Sequence, residues 1–511
     1  MRRSFPGTWA TLPVLRRGAS GFAVFLCATV ATVYAQGPAQ DELAKKVQVL
    51  TDAVERAQEQ LEQSQRQLGD LRRQLDDVRR QMNGGSASEA ADPLSDPLDD
   101  AQQLAAQVEA LKETQAMQQS EIATHEQSKV ESESKYPVKL SGLILLNGFV
   151  NTNKVDMPAA PATALPGVGS TGVTMRQTVL GVDARGPHVF GASSRADLRT
   201  DFFGSTEGGG TYSAAGLVRL RTAHAALDWS NTEVFFSLDR PLISPTQPTS
   251  LTDVAVPALA WSGNLWAWNP QFGVSHDVAL GGTERFRMQG ALIDVADPPY
   301  STTNPNGASY AASSGELSRW PGAEGRLVIG AGEANRGLEI GAGGFFAKHR
   351  TIYGTRFDSW AGTLDYRQPL PGHMELSGNF YRGQALGGLG GGAYKDYGVR
   401  ADPDNPGNFY VRPFDDAGGW AQLKERAGQR LEFNEVYGID DVPAGEISRY
   451  AGAATGNYGN LARTQTFMGN TIYSPSAWLQ FSVEYRHLAS YSVDAPTAAS
   501  HVIGVAAGYK F

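Results

Sequence analysis

From residue 41 to residue 82, apolar side chains recur at every seventh position. One seam runs Val47, Val54, Leu61, Leu68, Leu75 and Met82; the other runs Leu43, Leu50, Ala57, Ser64, Leu71 and Val78. Eleven of these twelve positions are apolar, the residues between are mostly Gln, Glu, Arg and Asp, and no proline interrupts the run. A narrow two-position stripe held over six heptads predicts a self-associating coiled coil rather than a helix lying on its own domain. Its length would be about 60 Å. Asn83-Gly84-Gly85 ends it, and Asp92-Pro93 and Asp96-Pro97 mark a linker. A weaker helical segment carrying Leu104, Val108, Leu111 and Ile122 follows, and Tyr136-Pro137 closes the region.

Beyond Pro137 the helical period disappears and a period of two replaces it. In the last segment Ile503, Val505, Ala507, Tyr509 and Phe511 share one parity, and Val502, Gly504, Ala506, Gly508 and Lys510 the other. At 477–488, Leu479, Phe481, Val483 and Tyr485 alternate with Gln480, Ser482, Glu484 and Arg486. Sixteen such segments are predicted: 137–150, 173–185, 193–203, 216–229, 232–240, 265–279, 283–295, 318–331, 335–348, 355–368, 372–384, 417–426, 429–440, 461–474, 477–490 and 500–511. The connectors alternate in length. One set is long (151–172, 204–215, 241–264, 296–317, 385–416, 441–460 and 491–499, with 349–354 as its short member) and the other is tight, as at Ser230-Asn231 and Pro475-Ser476. An even count with long and short connectors on opposite rims is the signature of a transmembrane β-barrel, whereas a soluble sandwich has no reason for it. Pro270 and Pro321 fall within predicted segments and strain this reading, because proline cannot donate to a closed ladder.

Composition removes competing classes. The mean hydropathy of -0.30 excludes a bundle of membrane helices. It does not exclude a barrel, in which only one face of each strand is apolar. The net charge of -9 without a basic tail argues against a nucleic-acid partner. Arg2, Arg3, Arg16 and Arg17 precede an apolar run from Ala19 to Val33, and Val33-Tyr34-Ala35 resembles a leader cleavage site. The single cysteine, Cys27, lies inside that leader, so the exported chain would carry none and would not rely on disulfides. The expected division is a signal peptide (1–35), a coiled coil (36–82), a linker with a second short helix (83–136) and an all-β transmembrane barrel (137–511). Aromatics such as Trp229, Trp266, Trp268, Trp360 and Trp478 are expected in interfacial girdles.

The C-terminal Tyr509-Lys510-Phe511, with alternate apolar residues back to Ile503, resembles the last strand of Gram-negative outer-membrane proteins. In those proteins the final Phe is read by the barrel assembly machinery; Tyr509 and Phe511 would form that signal here. A coiled coil ahead of a sixteen-strand barrel resembles the DcaP-like trimeric porins. The resemblance implies a homotrimeric diffusion channel in outer-membrane lipid that favours small anionic organic solutes. It transfers no binding residue, because no local motif matches. The first strand of an even-stranded barrel starts in the periplasm, so the coiled coil would lie there and could reach peptidoglycan.

A sixteen-strand barrel is wide enough for a lumen, whose selectivity comes from inward side chains and from any loop folded inside. Arg195, Asp197, Arg199 and Asp201 share a parity opposite Ala196, Leu198, Thr200 and Phe202. Arg219 and Arg221 oppose Val218 and Leu220, and Arg285 and Arg287 oppose Phe286 and Met288. An arginine facing lipid at the midplane costs about 2–4 kcal/mol, so these six are expected to face the lumen. The four on the neighbouring third and fourth strands, Arg195, Arg199, Arg219 and Arg221, would form a basic wall able to bind carboxylates and phosphates. The other reading is structural pairing with Asp197, Asp201, Glu233 and Asp239. Connector 241–264 resembles in position the loop that narrows porin barrels, and its one acid, Asp253, would face the basic wall across the pore; the alternative is a plain surface loop or a trimer contact. No metal-ligand spacing, phosphate-cradling loop or nucleophile elbow is present, so neither a cofactor, a metal nor an enzymatic activity is expected. A second function class remains: a structural tether or adhesin in which the barrel merely anchors the coiled coil.

Overall fold

Alternating side chains need two different environments, and closing a sheet on itself supplies them. The computed structural model describes residues 137–511 apart from 205–215, 299–311, 333–336, 406, 451–458 and 494. The leader, the coiled-coil seam and the linker at 83–136 lie outside the described residues.

The strands are β1 (Val138–Val155), β2 (Ala164–Thr174), β3 (Val179–Val189), β4 (Ala192–Gly204), β5 (Leu217–Asp228), β6 (Thr232–Asp239), β7 (Asn269–Gly281), β8 (Glu284–Ile293), β9 (Gly322–Ala331) and β10 (Leu338–Arg350). They continue with β11 (Arg356–Leu370), β12 (Met374–Gln384), β13 (Tyr397–Ala401), β14 (Phe409–Pro413), β15 (Asp415–Ala427), β16 (Leu431–Asp441), β17 (Leu461–Tyr473), β18 (Leu479–Ser492) and β19 (Ala498–Lys510). All but β13 and β14 belong to one antiparallel sheet. β1 pairs with β19 along one edge and with β3, then β2, along the other, so the sheet is closed. The seventeen strands of that sheet fill sixteen positions, because β2 and β3 lie end to end beside β1. The seam is sealed at the C-terminus: Gly142 N–H donates to the Phe511 carbonyl at 2.9 Å, and Phe511 N–H returns a bond to Gly142 at 3.0 Å. Tyr509 stands opposite Ile144 and faces outward.

The two parities separate as a barrel requires. Phe236, Phe272, Leu292, Leu327, Phe346 and Leu364 stand exposed on the outer wall of neighbouring strands. The inner parity carries buried Asn147, Gln271, Arg326, Asp365, Asn434 and Glu484. Apolar surface of that extent suits lipid, and none of the described helices is long and apolar enough to cross a membrane.

All sixteen predicted segments coincide with strands of the barrel. The two prolines are accommodated at strand starts: Pro270 is the second residue of β7, and Pro321 precedes β9. The differences lie in the long connectors. β1 runs on to Val155, and β2 fills much of 151–172; its sequence, ALPGVGSTGVT, has no apolar alternation because its partner is the extended end of β1. Connector 385–416 holds the β13–β14 hairpin, and two short helices, α1 (Ser314–Ser318) and α2 (Ala444–Tyr450), sit in 296–317 and 441–460.

Candidate functional site

The connector after β6 does not stay on the surface. Ile243, Leu251, Ala255, Leu259, Trp261 and Leu265 are all buried inside the barrel. Backbone in that position must find partners, and the inner faces of distant strands provide them. Glu324 of β9 accepts from Ile243 N–H at 3.4 Å, and Asn379 of β12 donates to the Ile243 carbonyl at 3.0 Å. Gln422 of β15 accepts from Thr249 N–H at 2.7 Å, and Glu484 of β18 accepts from the Ser250 and Thr252 hydroxyls. Glycine makes room: a Cβ on Gly343 would lie 2.8 Å from the Ile243 side chain, and one on Gly504 would lie 2.9 Å from Thr252. Part of the high glycine content thus serves the close approach of loop to wall.

The break between β2 and β3 supplies the main clamp. It turns fully buried Gln177 toward the loop, where its amide donates to Ala159 and Thr252 carbonyls at 2.9 and 2.7 Å and its oxygen accepts from Val254 and Ala255 N–H at 2.7 and 3.0 Å. From β5, Arg219 donates to the Ala255 carbonyl at 2.7 Å. A cavity of about 760 Å³ lies toward the long-loop rim and is lined by Arg176, Arg219, Val256, Trp266 and Trp268. A second, of about 480 Å³, lies toward the short-turn rim and is lined by Arg199, Arg221, Val254 and Lys510. The segment from Val254 to Val256 stands between them, beside Arg219 and Arg221.

A register shift in the β4–β5 ladder accounts for both of those arginines. Leu220 pairs with outward Thr200, Arg219 pairs with Asp201, and Arg221 is the extra residue before Thr222. Buried Asp201 accepts from Arg219 at 3.1 and 2.7 Å, and the Arg221 guanidinium is 3.6 Å away. Arg176 lies 4.6 Å from the Phe203 ring centroid and has no carboxylate partner among the described residues. Of the three guanidiniums here, Arg219 and Arg221 share one carboxylate and Arg176 bonds none among the described residues. Asp156, which also lines the outer cavity, accepts from the Tyr394 hydroxyl at 2.9 Å, and its burial raises its carboxyl above the usual range.

The remaining predicted site residues are placed differently. Arg199 is bonded to Asp183 at 2.5 Å. Arg195 is held by Asp228 at 2.7 Å and by Glu233; Arg285 bonds Glu339 at 2.6 Å and Arg287 bonds Asp277 at 2.6 Å. These three lie near the short-turn rim, away from the loop. Asp253 is inside the barrel but does not face the basic wall. It is buried against Arg486 of β18, with Glu484 on the same guanidinium at 3.1 Å. The reason is the Gln177 clamp, which turns the backbone at Val254 and Ala255, rather than the Asp253 side chain, toward β5. Burial pushes the Asp253 carboxyl up to about 7. Trp266 and Trp268 line the outer cavity and do not join a girdle, because β7 begins only at Asn269.

Gln177, Arg176 and Phe203 carry no signal in the sequence, and Trp268 reads there as a girdle residue. All four lie at strand ends or breaks, where periodicity carries no facing information. A second lumenal segment, 385–396, was also invisible. Asp416 accepts from Gly392 N–H at 2.7 Å, and Asp440 accepts from Ala393 N–H at 2.8 Å and from the Tyr381 hydroxyl at 2.6 Å. Lys395 donates to the Ala393 and Leu461 carbonyls at 2.8 and 2.6 Å, and its burial pushes the amine down to about 7.

No protein-family model matches the chain, and no curated protein is similar to it in sequence. Solved structures are similar in fold. The outer membrane channel DcaP of Acinetobacter baumannii is 16% identical, with a TM-score of 0.55 over 74% of this chain and 99% of that one. OprB of Pseudomonas putida is 9% identical with a TM-score of 0.44, over 73% and 94% of the two chains. An anion-selective porin from Comamonas acidovorans is 12% identical with a TM-score of 0.43, over 74% and 100%. The likeness to DcaP shows the fold, a closed sixteen-strand barrel of the porin type.

Proposed function

We propose that this chain is an outer-membrane porin, a passive diffusion channel for small anionic solutes. The observation that carries the reading is the excess of guanidinium over bonded carboxylate beside the inserted loop: among the described residues Arg219 and Arg221 share Asp201 and Arg176 bonds no carboxylate, while Asp156, on the same cavity, is taken up by Tyr394, and Asp297 also lines that cavity. In a site shielded by low-dielectric walls, such an excess concentrates anions. The shared fold with an outer membrane channel and the apolar outer wall support the location. On this reading the barrel assembles as a homotrimer and Tyr509 and Phe511 are read by the assembly machinery. The coiled coil holds the protomers in register in the periplasm and reaches toward peptidoglycan.

The test is conductance and reversal potential of the purified full-length protein in planar bilayers under a potassium chloride gradient. Open steps with chloride preferred over potassium are expected. A silent barrel would favour the tether, and cation preference would remove the anionic solute. Oligomer mass with and without residues 36–136 tests the trimer and the contribution of the coiled coil.

A further inference from the structure

The guanidiniums beside the loop are interleaved with aromatic rings. Arg176 and Arg219 lie 4.6 and 5.8 Å from the Phe203 ring centroid. Arg219 and Arg221 lie 5.1 and 5.2 Å from that of Trp268. Trp268 is itself fixed edge-on against Trp266 at 5.5 Å, and Trp266 against Trp261 at 5.9 Å. Trp261 stacks on Tyr394 at 4.3 Å, so the chain of rings ends in the second lumenal segment.

From this arrangement we infer that Trp268 is a specificity-determining residue of the channel, a positioning residue that holds Arg219 and Arg221 apart and turned to the solute path. The inference rests on the porin reading. Its physical basis is that two long cationic side chains sharing one carboxylate have many rotamers, including ones that lie flat on the wall or turn toward the acids near the short-turn rim. An aromatic face attracts a guanidinium electrostatically and leaves its edge N–H groups free to donate. Trp268 touches both arginines and carries no charge, so it sets where the positive charge sits without changing how much there is. Phe203 does the same for Arg176 and Arg219. The two rings make a ladder that passes from the outer cavity, lined by Arg176 and Arg219, to the inner one, lined by Arg221.

The experiment is the chloride-to-potassium permeability ratio of the full-length protein and of W268A, W268F and F203L. Every charge is retained in all four. W268A is expected to lower the ratio by about two- to fivefold, F203L by less, and W268F to stay close to wild type. An unchanged ratio in W268A, or a W268F channel as impaired as W268A, overturns the inference. If W268A does not assemble, F203L decides: an unchanged ratio overturns the ladder and a lowered one supports it. Failure of the porin reading looks different, since the wild-type channel would then be silent or prefer potassium.

Discussion

Two groups of arginines share the lumen-facing side of this barrel and differ in their company. Near the short-turn rim, Arg195 is bonded to Asp228 and Glu233, Arg287 to Asp277, and Arg285 and Arg367 both to Glu339, four acids for four bases. Beside the inserted loop, Asp201 is the one carboxylate that Arg219 and Arg221 bond among the described residues, and Arg176 bonds none. Strand parity delivers the first group to the lumen; the break between β2 and β3 and the register shift in the β4–β5 ladder deliver Arg176 and Arg221 of the second. Only the local count of carboxylates decides whether its charge reaches a passing solute. A third cluster has the reverse ratio: Asp253 and Glu484 share Arg486 and tie the loop to β18.

The largest effect should come from inverting the unbalanced group. R219E combined with R221E is expected to lower the chloride-to-potassium permeability ratio by about tenfold or more. R195Q combined with R287Q, which opens pairs that are already neutral, should change it by less than about twofold. Equal effects of the two double variants, read as reversal potentials, would dissolve the distinction between the groups.

A smaller effect, in the opposite direction, is expected from D201N. Removing the acid that Arg219 and Arg221 share leaves both guanidiniums without a bonded carboxylate, so anion preference should rise by about threefold. Asp201 is fully buried and accepts two charge-assisted bonds from Arg219, so thermal stability should fall by about 2 kcal/mol. A ratio that drops would mean that Asp201 acts mainly by aiming the arginines.

The smallest effect concerns the third cluster and is a dependence on pH. The folded-state value of Asp253, about 7, lies above the unfolded value of about 3.9. The folded chain therefore keeps a proton that the unfolded chain releases. This group's contribution to stability is fully present below about pH 4 and is lost as the pH rises toward 7. D253N, which mimics the protonated form, should gain stability relative to wild type as the pH rises through that window. The check is the difference in thermal midpoint at pH 4.5 and 7.5; a difference that is the same at both pH values would be against it.

The barrel could be read from sequence because its rule is local. A two-residue period needs only neighbouring positions, and Leu479–Arg486 or Ile503–Lys510 carries it without help from the rest of the chain. The inward parity of Arg195, Arg199 and Arg219 followed from the same rule. Pairing did not, since Arg285 meets Glu339 across two strand boundaries and Arg199 meets Asp183 on the preceding strand. The β2–β3 break was hidden by its Gly-, Ser- and Thr-rich sequence, and with it went Gln177.

What the sequence by itself determined is the alternation that makes strands and the even count of segments. It also determined the rim that carries long loops and the C-terminal Phe511 that meets Gly142 at the seam. These follow from the chemistry of each residue and its near neighbours in the chain. Tertiary structure alone decided that connector 241–264 folds inward and that Asp253 turns to Arg486. It alone decided that Trp268 joins two arginines and not a lipid-facing girdle. The physical reason is closure: a barrel brings Gln177 to Thr252, Gln422 to Thr249 and Glu484 to Ser250, across separations of up to 234 residues, and no periodicity encodes which of them will meet.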